Sequence, residues 1–313
     1  MTHTPNAHIW SGRDDGPGDE NRRWHHAVNS ATPGTGIALL GFRSDEGVRR
    51  NKGRVGAVDG PASIRTALAP MSADPRLVVH DLGDTTVLDG QMEAGQALLG
   101  QAVAEALDAG HLAVVLGGGH ETAFGSYTGL RSSAVTAGKR LGTLNLDAHF
   151  DLRKEPVPSS GTPFLQVANA ERERGHEFNY AVVGISQPGN TGALFQTAHD
   201  LGVSYLLDED CSESHLAPVL DFTQAFIDSV DAVYLTIDLD VLPAAVAPGV
   251  SAPASYGVPL SVLLAVCRQV ARSPKLALVD VVELNPAFDV DSRTARTAAR
   301  LIHTISSEHL LDG

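Results

Sequence analysis

The sequence predicts an α/β fold built on one open, parallel sheet of eight strands. From Ile37 onward, short apolar runs alternate with longer segments of helical period. The runs are apolar throughout rather than alternating, as strands buried on both faces require. With 313 residues, 43% hydrophobic and 19% charged, the chain is long enough to bury a large core. Eight strands also suit a closed barrel of strand–helix units. Irregular spacing between the runs and long loops in the N-terminal part favour the open sheet. No internal repeat and no Pro/Ser-rich linker divides the core. A single domain over residues 36–313 is therefore expected, preceded by an extension over residues 1–35.

That extension is rich in Gly, Asp, Arg and His and has no apolar period, so it is expected to lie on the surface of the core. Strands are expected at 37–42, 77–80, 112–116, 142–146, 180–185, 204–207, 232–237 and 277–282. Helices are expected at 60–69, 92–109, 121–132, 192–201, 214–229, 260–271 and 292–307. Pro61 suits a helix start, where its missing N–H has no partner to lose, and Gly110 suits a helix end.

Composition excludes several function classes. No apolar stretch approaches the length of a membrane span, and the first fifteen residues lack the apolar centre of a signal peptide. Two cysteines, Cys211 and Cys267, exclude a disulfide scaffold and point to a reducing cytoplasm. Aromatic residues make up 5% of the chain, which does not favour a base-stacking or sugar-stacking surface. The net charge of −14 argues against nucleic acid or an anionic membrane as partner. A carboxylate-lined metal site would absorb part of that acidic excess, and thirteen histidines leave room for imidazole ligands.

Three segments place acids or imidazoles where an apolar run ends. They are Gly-Gly-Gly-His-Glu at 117–121, Asp-Ala-His-Phe-Asp at 147–151 and Asp-Leu-Asp-Val-Leu-Pro at 238–243. In an extended chain, side chains at i, i+2 and i+4 share a face. Asp147, His149 and Asp151 are therefore expected to converge, as are Asp238 and Asp240. The three glycines let the backbone approach closely and deliver His120 to the same place. A lone Asp-x-Asp at a strand end is ordinarily a turn or a helix cap. All three motifs together, each at a strand terminus, point to a functional cluster. Four carboxylates cannot stay ionised in a partly buried site without positive charge, and two divalent cations supply it. Mixed Asp/His ligation without thiolate suits Mn²⁺ better than structural zinc.

These three motifs, in this order between about Ile37 and Leu301, resemble the ureohydrolases: arginase, agmatinase and formimidoylglutamase. The resemblance implies a three-layer α/β/α, arginase-like fold with a doubly wound sheet and two Mn²⁺ per chain. It implies one ion on His120, Asp147, Asp151 and Asp238, and the other on Asp147, His149, Asp238 and Asp240. The family's later Glu, which receives the cationic amidine or guanidine, matches Glu283. The family pattern also gives Asp151 the task of carrying a proton toward the leaving amine. Family members are often trimers or hexamers, so a homo-oligomer is implied.

Arginases and agmatinases usually carry a His-Gly-x-Pro segment whose His shuttles protons. Here Ser160 stands at that position, which argues against those two activities. The segments Trp-Ser-Gly-Arg-Asp-Asp at 10–15, Arg-Arg-Trp-His at 22–25, the stretch 41–54 and Gly-Ile-Ser-Gln at 184–187 resemble the formimidoylglutamase subfamily. That branch converts N-formimino-L-glutamate and water to L-glutamate and formamide. Such a substrate carries one cationic amidine and two carboxylates, so its pocket needs an acid at one end and cations or amide donors at the other. Arg49, Arg50, Lys52 and Arg54 place four cations in six residues after the first strand. With Arg153, Ser159, Ser160 and Asn190 they are the candidate carboxylate contacts. Rival readings are a ureohydrolase releasing urea from a guanidino acid, an inactive metal-stabilised protein, and a deacetylase. The last is disfavoured by the absence of its tandem-His signature.

Overall fold

The computed structural model describes residues 9–28 and 34–310. At its centre is an open sheet of eight parallel strands: β1 (Ile37–Arg43), β2 (Val79–Thr86), β3 (Leu112–Leu116), β4 (Leu141–Leu146), β5 (Asn179–Ile185), β6 (Ser204–Leu207), β7 (Ala232–Asp238) and β8 (Leu276–Val282). Their order across the sheet is β2-β1-β3-β8-β7-β4-β5-β6. Alternate side chains of each strand enter opposite cores, as the pleat dictates. In β1, Ile37 and Leu39 enter one, while Ala38, Leu40 and Phe42 enter the other.

The helices among the described residues begin with two short ones, α1 (Trp24–Ala27) and α2 (Glu46–Arg50). The longer ones sort onto the two faces by their apolar stripes. On one face lie α3 (Gly60–Leu68), and later α8 (Leu216–Ser229), α9 (Leu260–Ala271) and α10 (Arg293–His309). On the other lie α4 (Met92–Asp108), α5 (Thr122–Ser132), α6 (Pro163–Glu173) and α7 (Gly192–Asp200). Helix–sheet–helix layering with the sheet open at β2 and β6 is the doubly wound arrangement, and the closed barrel is excluded.

Two departures from the sequence reading have clear causes. Strand β2 was expected at 77–80 but runs on to Thr86 through His-Asp-Leu-Gly-Asp. Those acids are accommodated because fully buried Arg65 pairs with Asp81 at 2.9 Å and with Asp84 at 2.7 Å. Helix α6 was not among the expected helices. Pro163 opens it, and Phe164, Val167 and Ala168 form its buried face. The described part of the N-terminal segment packs on the β2 edge. Trp10 Nε1 donates to Asp81 at 2.6 Å, and buried Trp24 donates to His303 Nδ1 at 3.1 Å. No helix among the described residues is long and apolar enough to cross a membrane.

The strand order decides where chemistry collects. The four central strands β3, β8, β7 and β4 are neighbours, although β8 is last in sequence. Their C-terminal ends lead directly to His120, Glu283, Asp238 and Asp147. Ligand sites in open α/β sheets sit at this end of the strands.

Candidate metal centre and substrate cavity

The two histidines and four aspartates expected from the motifs converge. His120 Nδ1 lies 3.1 Å from Asp147 Oδ2, 3.0 Å from Asp151 Oδ2 and 3.1 Å from Asp238 Oδ2. His149 Nδ1 lies 3.1 Å from Asp240 Oδ2 and 3.6 Å from Asp147 Oδ1. Two groups of ligand atoms, His120–Asp147–Asp151 and Asp147–His149–Asp240, are each close enough to hold one ion.

The route to convergence differs from the extended-chain expectation. Strand β4 stops at Leu146, and β7 gives way to a tight turn after Asp238. Beyond those points the aspartates fold the chain back on themselves. Asp147 Oδ1 accepts from the His149 N–H at 2.6 Å, and Asp238 Oδ1 accepts from the Asp240 N–H at 2.8 Å. Such Asx turns bring residues i and i+2 together without a strand. Asp151 and Glu283 both take positive φ, 49° and 67°. Non-glycine residues held there are strained, and such strain concentrates at functional sites. Gly118 is needed for close approach, since a Cβ there would meet the Ser44 carbonyl oxygen at 1.8 Å.

Supporting contacts hold the ligands in place. His120 Nε2 pairs with Thr236 Oγ1 at 3.1 Å, which leaves Nδ1 as the inward-facing nitrogen. Asn145 Nδ2 donates to Asp147 Oδ2 at 2.9 Å. Thr236 and Asn145 each precede an aspartate by two residues; the alternation of side chains along a strand is the signal that could have found them.

The electrostatics call for cations. Burial opposes a charge on His120, yet Asp147, Asp151 and Asp238 push its pKa well above the imidazole range. Burial, reinforced by Asp240 and Asp147, pushes Asp238 well above the carboxylate range. His120 Nδ1 and Asp240 Oδ1 are buried yet make no hydrogen bond. Orphaned donors converging without thiolate fit a first-row divalent ion such as manganese.

The cluster opens into a cavity of about 220 Å³, lined by Asn51, Gly53, Arg153, Ser160, Asn190, Leu194, Ser251, Ala252 and Glu283 together with the ligands. Glu283 Oε1 accepts from the His120 backbone N–H at 2.8 Å, while Oε2 is buried without a partner. Burial and then the neighbouring Glu121 raise the Glu283 pKa to about 8. Arg153 passes over Gly161, where a Cβ would meet its Cδ at 2.8 Å. Among the described residues its guanidinium makes no ion pair.

The cationic run does not face this cavity. Arg49 pairs with Glu46, and Arg50 with Glu46 and Glu93. Arg54 donates to the carbonyls of Val250 and Ser251 and lies over the Phe288 ring. The segment 46–50 coils into α2, and none of the four cations, Arg49, Arg50, Lys52 and Arg54, is among the residues lining the cavity. Asn51, from within the run, lines the cavity instead; the concentration of charge around it masked it in the sequence. Ser159 is fully buried, and its Oγ accepts from the Gly161 N–H. Ser160 lines the cavity, and its Oγ accepts from Asn51 Nδ2 at 3.1 Å. Asn190 also lines it, but its amide is spent on backbone: Nδ2 donates to Ala148 and Ser186 carbonyls and Oδ1 accepts from Phe150 N–H. It braces the 147–151 turn.

The arginase family model matches residues 35–307. A formimidoylglutamase of Rhodococcus jostii (strain RHA1) is 57% identical over 306 residues, covering 96% of this chain and 95% of the relative. The crystal structure of formimidoylglutamase from Bacillus subtilis subsp. subtilis str. 168 superposes with a TM-score of 0.83 at 22% identity, covering 96% of each chain. That of Trypanosoma cruzi formiminoglutamase with manganese superposes with a TM-score of 0.77 at 25% identity, covering 88% of this chain and 93% of the other.

Proposed function

The chain belongs to the arginase family, and on that premise we propose that it hydrolyses N-formimino-L-glutamate to L-glutamate and formamide. The observation that carries the reading is one cavity offering both of the charges this substrate demands. Among the described residues, Glu283 presents an unpartnered carboxylate oxygen for the amidinium, and Arg153 presents an unpaired guanidinium for a carboxylate. A histidine-degrading enzyme in the cytoplasm, assembled as a trimer or hexamer, completes the proposal; light scattering tests the assembly. Within it, residues 36–313 are the catalytic domain and 1–35 its extension.

Two manganese ions per chain are part of this reading. His120, Asp147, Asp151 and Asp238 would hold one, and Asp147, His149, Asp238 and Asp240 the other. When bound, manganese supplies Lewis acidity that makes water nucleophilic near neutral pH. Glu283 Oε2 holds the amidine in its cationic form, which keeps the formimino carbon electrophilic. Asp151 takes a proton from the attacking water and passes it to the leaving nitrogen of glutamate. Water's oxygen ends in formamide, which keeps the two N–H protons of the amidinium, and both of water's protons end on the glutamate nitrogen, which leaves as an ammonium. A serine hydroxyl does not take up and release a proton near neutral pH as an imidazole does, so Ser160, its oxygen accepting from Asn51, serves as a hydrogen-bond donor to the part of the substrate beyond the amidine. The experiment is formamide release from N-formimino-L-glutamate by manganese-loaded protein, beside arginine, agmatine and guanidinobutyrate; urea from a guanidino acid would overturn the reading.

Two predictions belong here. Arg153→Met is expected to raise KM by roughly ten- to a hundredfold with little change in kcat. A carboxylate contact is made equally in the ground and transition states, so its loss falls on binding. Steady-state kinetics with the variant reads this directly. Thr236→Val is expected to weaken manganese binding about ten- to a hundredfold, with Thr236→Ser close to the parent, because only the hydroxyl fixes the His120 ring. Calorimetric titration of the metal-free proteins measures both.

A further inference from the structure

Glu121 is a fully buried carboxylate beside the site that the chemistry above leaves unused. It has no ion-pair partner among the described residues. Its Oε1 accepts from Ser44 Oγ at 2.6 Å and from the Gly47 backbone N–H at 3.0 Å. A Cβ on Gly47 would meet Glu121 Oε2 at 2.4 Å, and one on Gly119 would meet it at 2.2 Å, so the carboxylate fills a slot between two bare backbones.

The consequence runs along the chain. Gly47 lies in the first turn of α2, and its carbonyl accepts from the Asn51 backbone N–H at 2.9 Å. Asn51 in turn donates to Ser160 Oγ, and both line the cavity. The far end of the same loop is tied by Asn285, whose Nδ2 donates to the carbonyls of Arg54 and Val55. The loop 44–56 is thus pinned at both ends, with its cavity-lining residues Asn51 and Gly53 between the pins.

We propose that Glu121 is a positioning residue for substrate selection: by fixing Gly47 it fixes Asn51 and Ser160 against the glutamate part of the substrate. This rests on the reading that the cavity takes N-formimino-L-glutamate. A carboxylate that merely filled its slot would stabilise the protein without dividing KM from kcat.

The test uses the full-length, manganese-loaded protein with Glu121→Ala, Glu121→Gln and Ser44→Ala. Glu121→Ala is expected to raise KM for N-formimino-L-glutamate about tenfold or more and to weaken L-glutamate binding in parallel. Its manganese affinity should match the parent and its kcat should change far less than its KM, and amide hydrogen exchange should accelerate across 44–56 but not in the central strands. Gln keeps the accepting oxygen and should restore KM. If Glu121→Ala does not fold, Ser44→Ala, which removes one of the two bonds, should show the same pattern at smaller size. Unchanged KM and exchange in a folded variant would overturn the proposal. So would a joint fall in kcat and manganese affinity, which would make Glu121 a support of His120 instead. If the parent does not turn over N-formimino-L-glutamate, the functional reading fails by itself and takes the selective role of Glu121 with it. The exchange arm still reports whether the loop is pinned.

Discussion

Asp238→Asn, and equally Asp147→Asn, is expected to abolish both stable manganese binding and turnover. Asp147 approaches both the His120 and the His149 imidazole and so belongs to both candidate ligand groups, and Asp238 approaches His120 and is shared by the two proposed ligand sets. An amide removes a negative charge and presents a donor where a ligand oxygen is needed. Losing a group that merely orients a ligand costs metal affinity about 10–100-fold, so losing a shared ligand should cost more than about a thousandfold in activity. His120→Ala or Asp240→Ala should weaken mainly one ion. Metal analysis after dialysis, with calorimetry, distinguishes these patterns. A single ion in fully loaded, active protein would sink the dinuclear arrangement.

Glu283→Gln should keep the metals and the fold and lose most of the activity, about 2–4 kcal/mol of transition-state stabilisation, or roughly 30- to 1,000-fold in kcat/KM. The structure sharpens the reason. Gln retains an oxygen to accept the His120 N–H, so the backbone at the end of β8 has no cause to move. The buried Oε2, which has no hydrogen-bond partner among the described residues, would become an NH₂ facing the amidinium. Like charge meets partial like charge in a site where water cannot screen it. Circular dichroism and metal content should match the parent while kcat/KM collapses; a variant with unchanged kcat and KM would show that the cation is held elsewhere.

The two variants probe parts of the site that were legible in the sequence to different degrees. The six candidate ligands could be named because Gly-Gly-Gly-His, Asp-x-His-x-Asp and Asp-x-Asp at the ends of apolar runs are local patterns. Within each motif short-range backbone geometry brings the side chains together, with Asx turns doing the work expected of an extended strand, and the three motifs meet because β3, β7 and β4 lie close together in the sheet. Glu283 could be named only through a resemblance. Nothing local marks it, and it reaches the ligands because β8 inserts between β3 and β7.

The rest of the cavity belongs to the tertiary structure. The run of cations at 49–54 looked like a carboxylate trap, but charge in a sequence has no direction. Glu46 and Glu93, at different sequence distances, engage Arg49 and Arg50 in ion pairs, and backbone carbonyls of 250–251 hold Arg54. Asn51 remained to face the cavity. Asn190 was named for its amide, yet three backbone groups brought near by the β4–β5 pairing occupy that amide. The sequence alone determined the alternation of strands and helices, the open parallel sheet and the motifs that supply the candidate ligands, because those depend on periodicity and on neighbours a few residues apart. Which side chains complete the pocket was decided by strand order and by long-range ion pairs. Those select among many chemically equivalent residues by where the folded chain brings their partners.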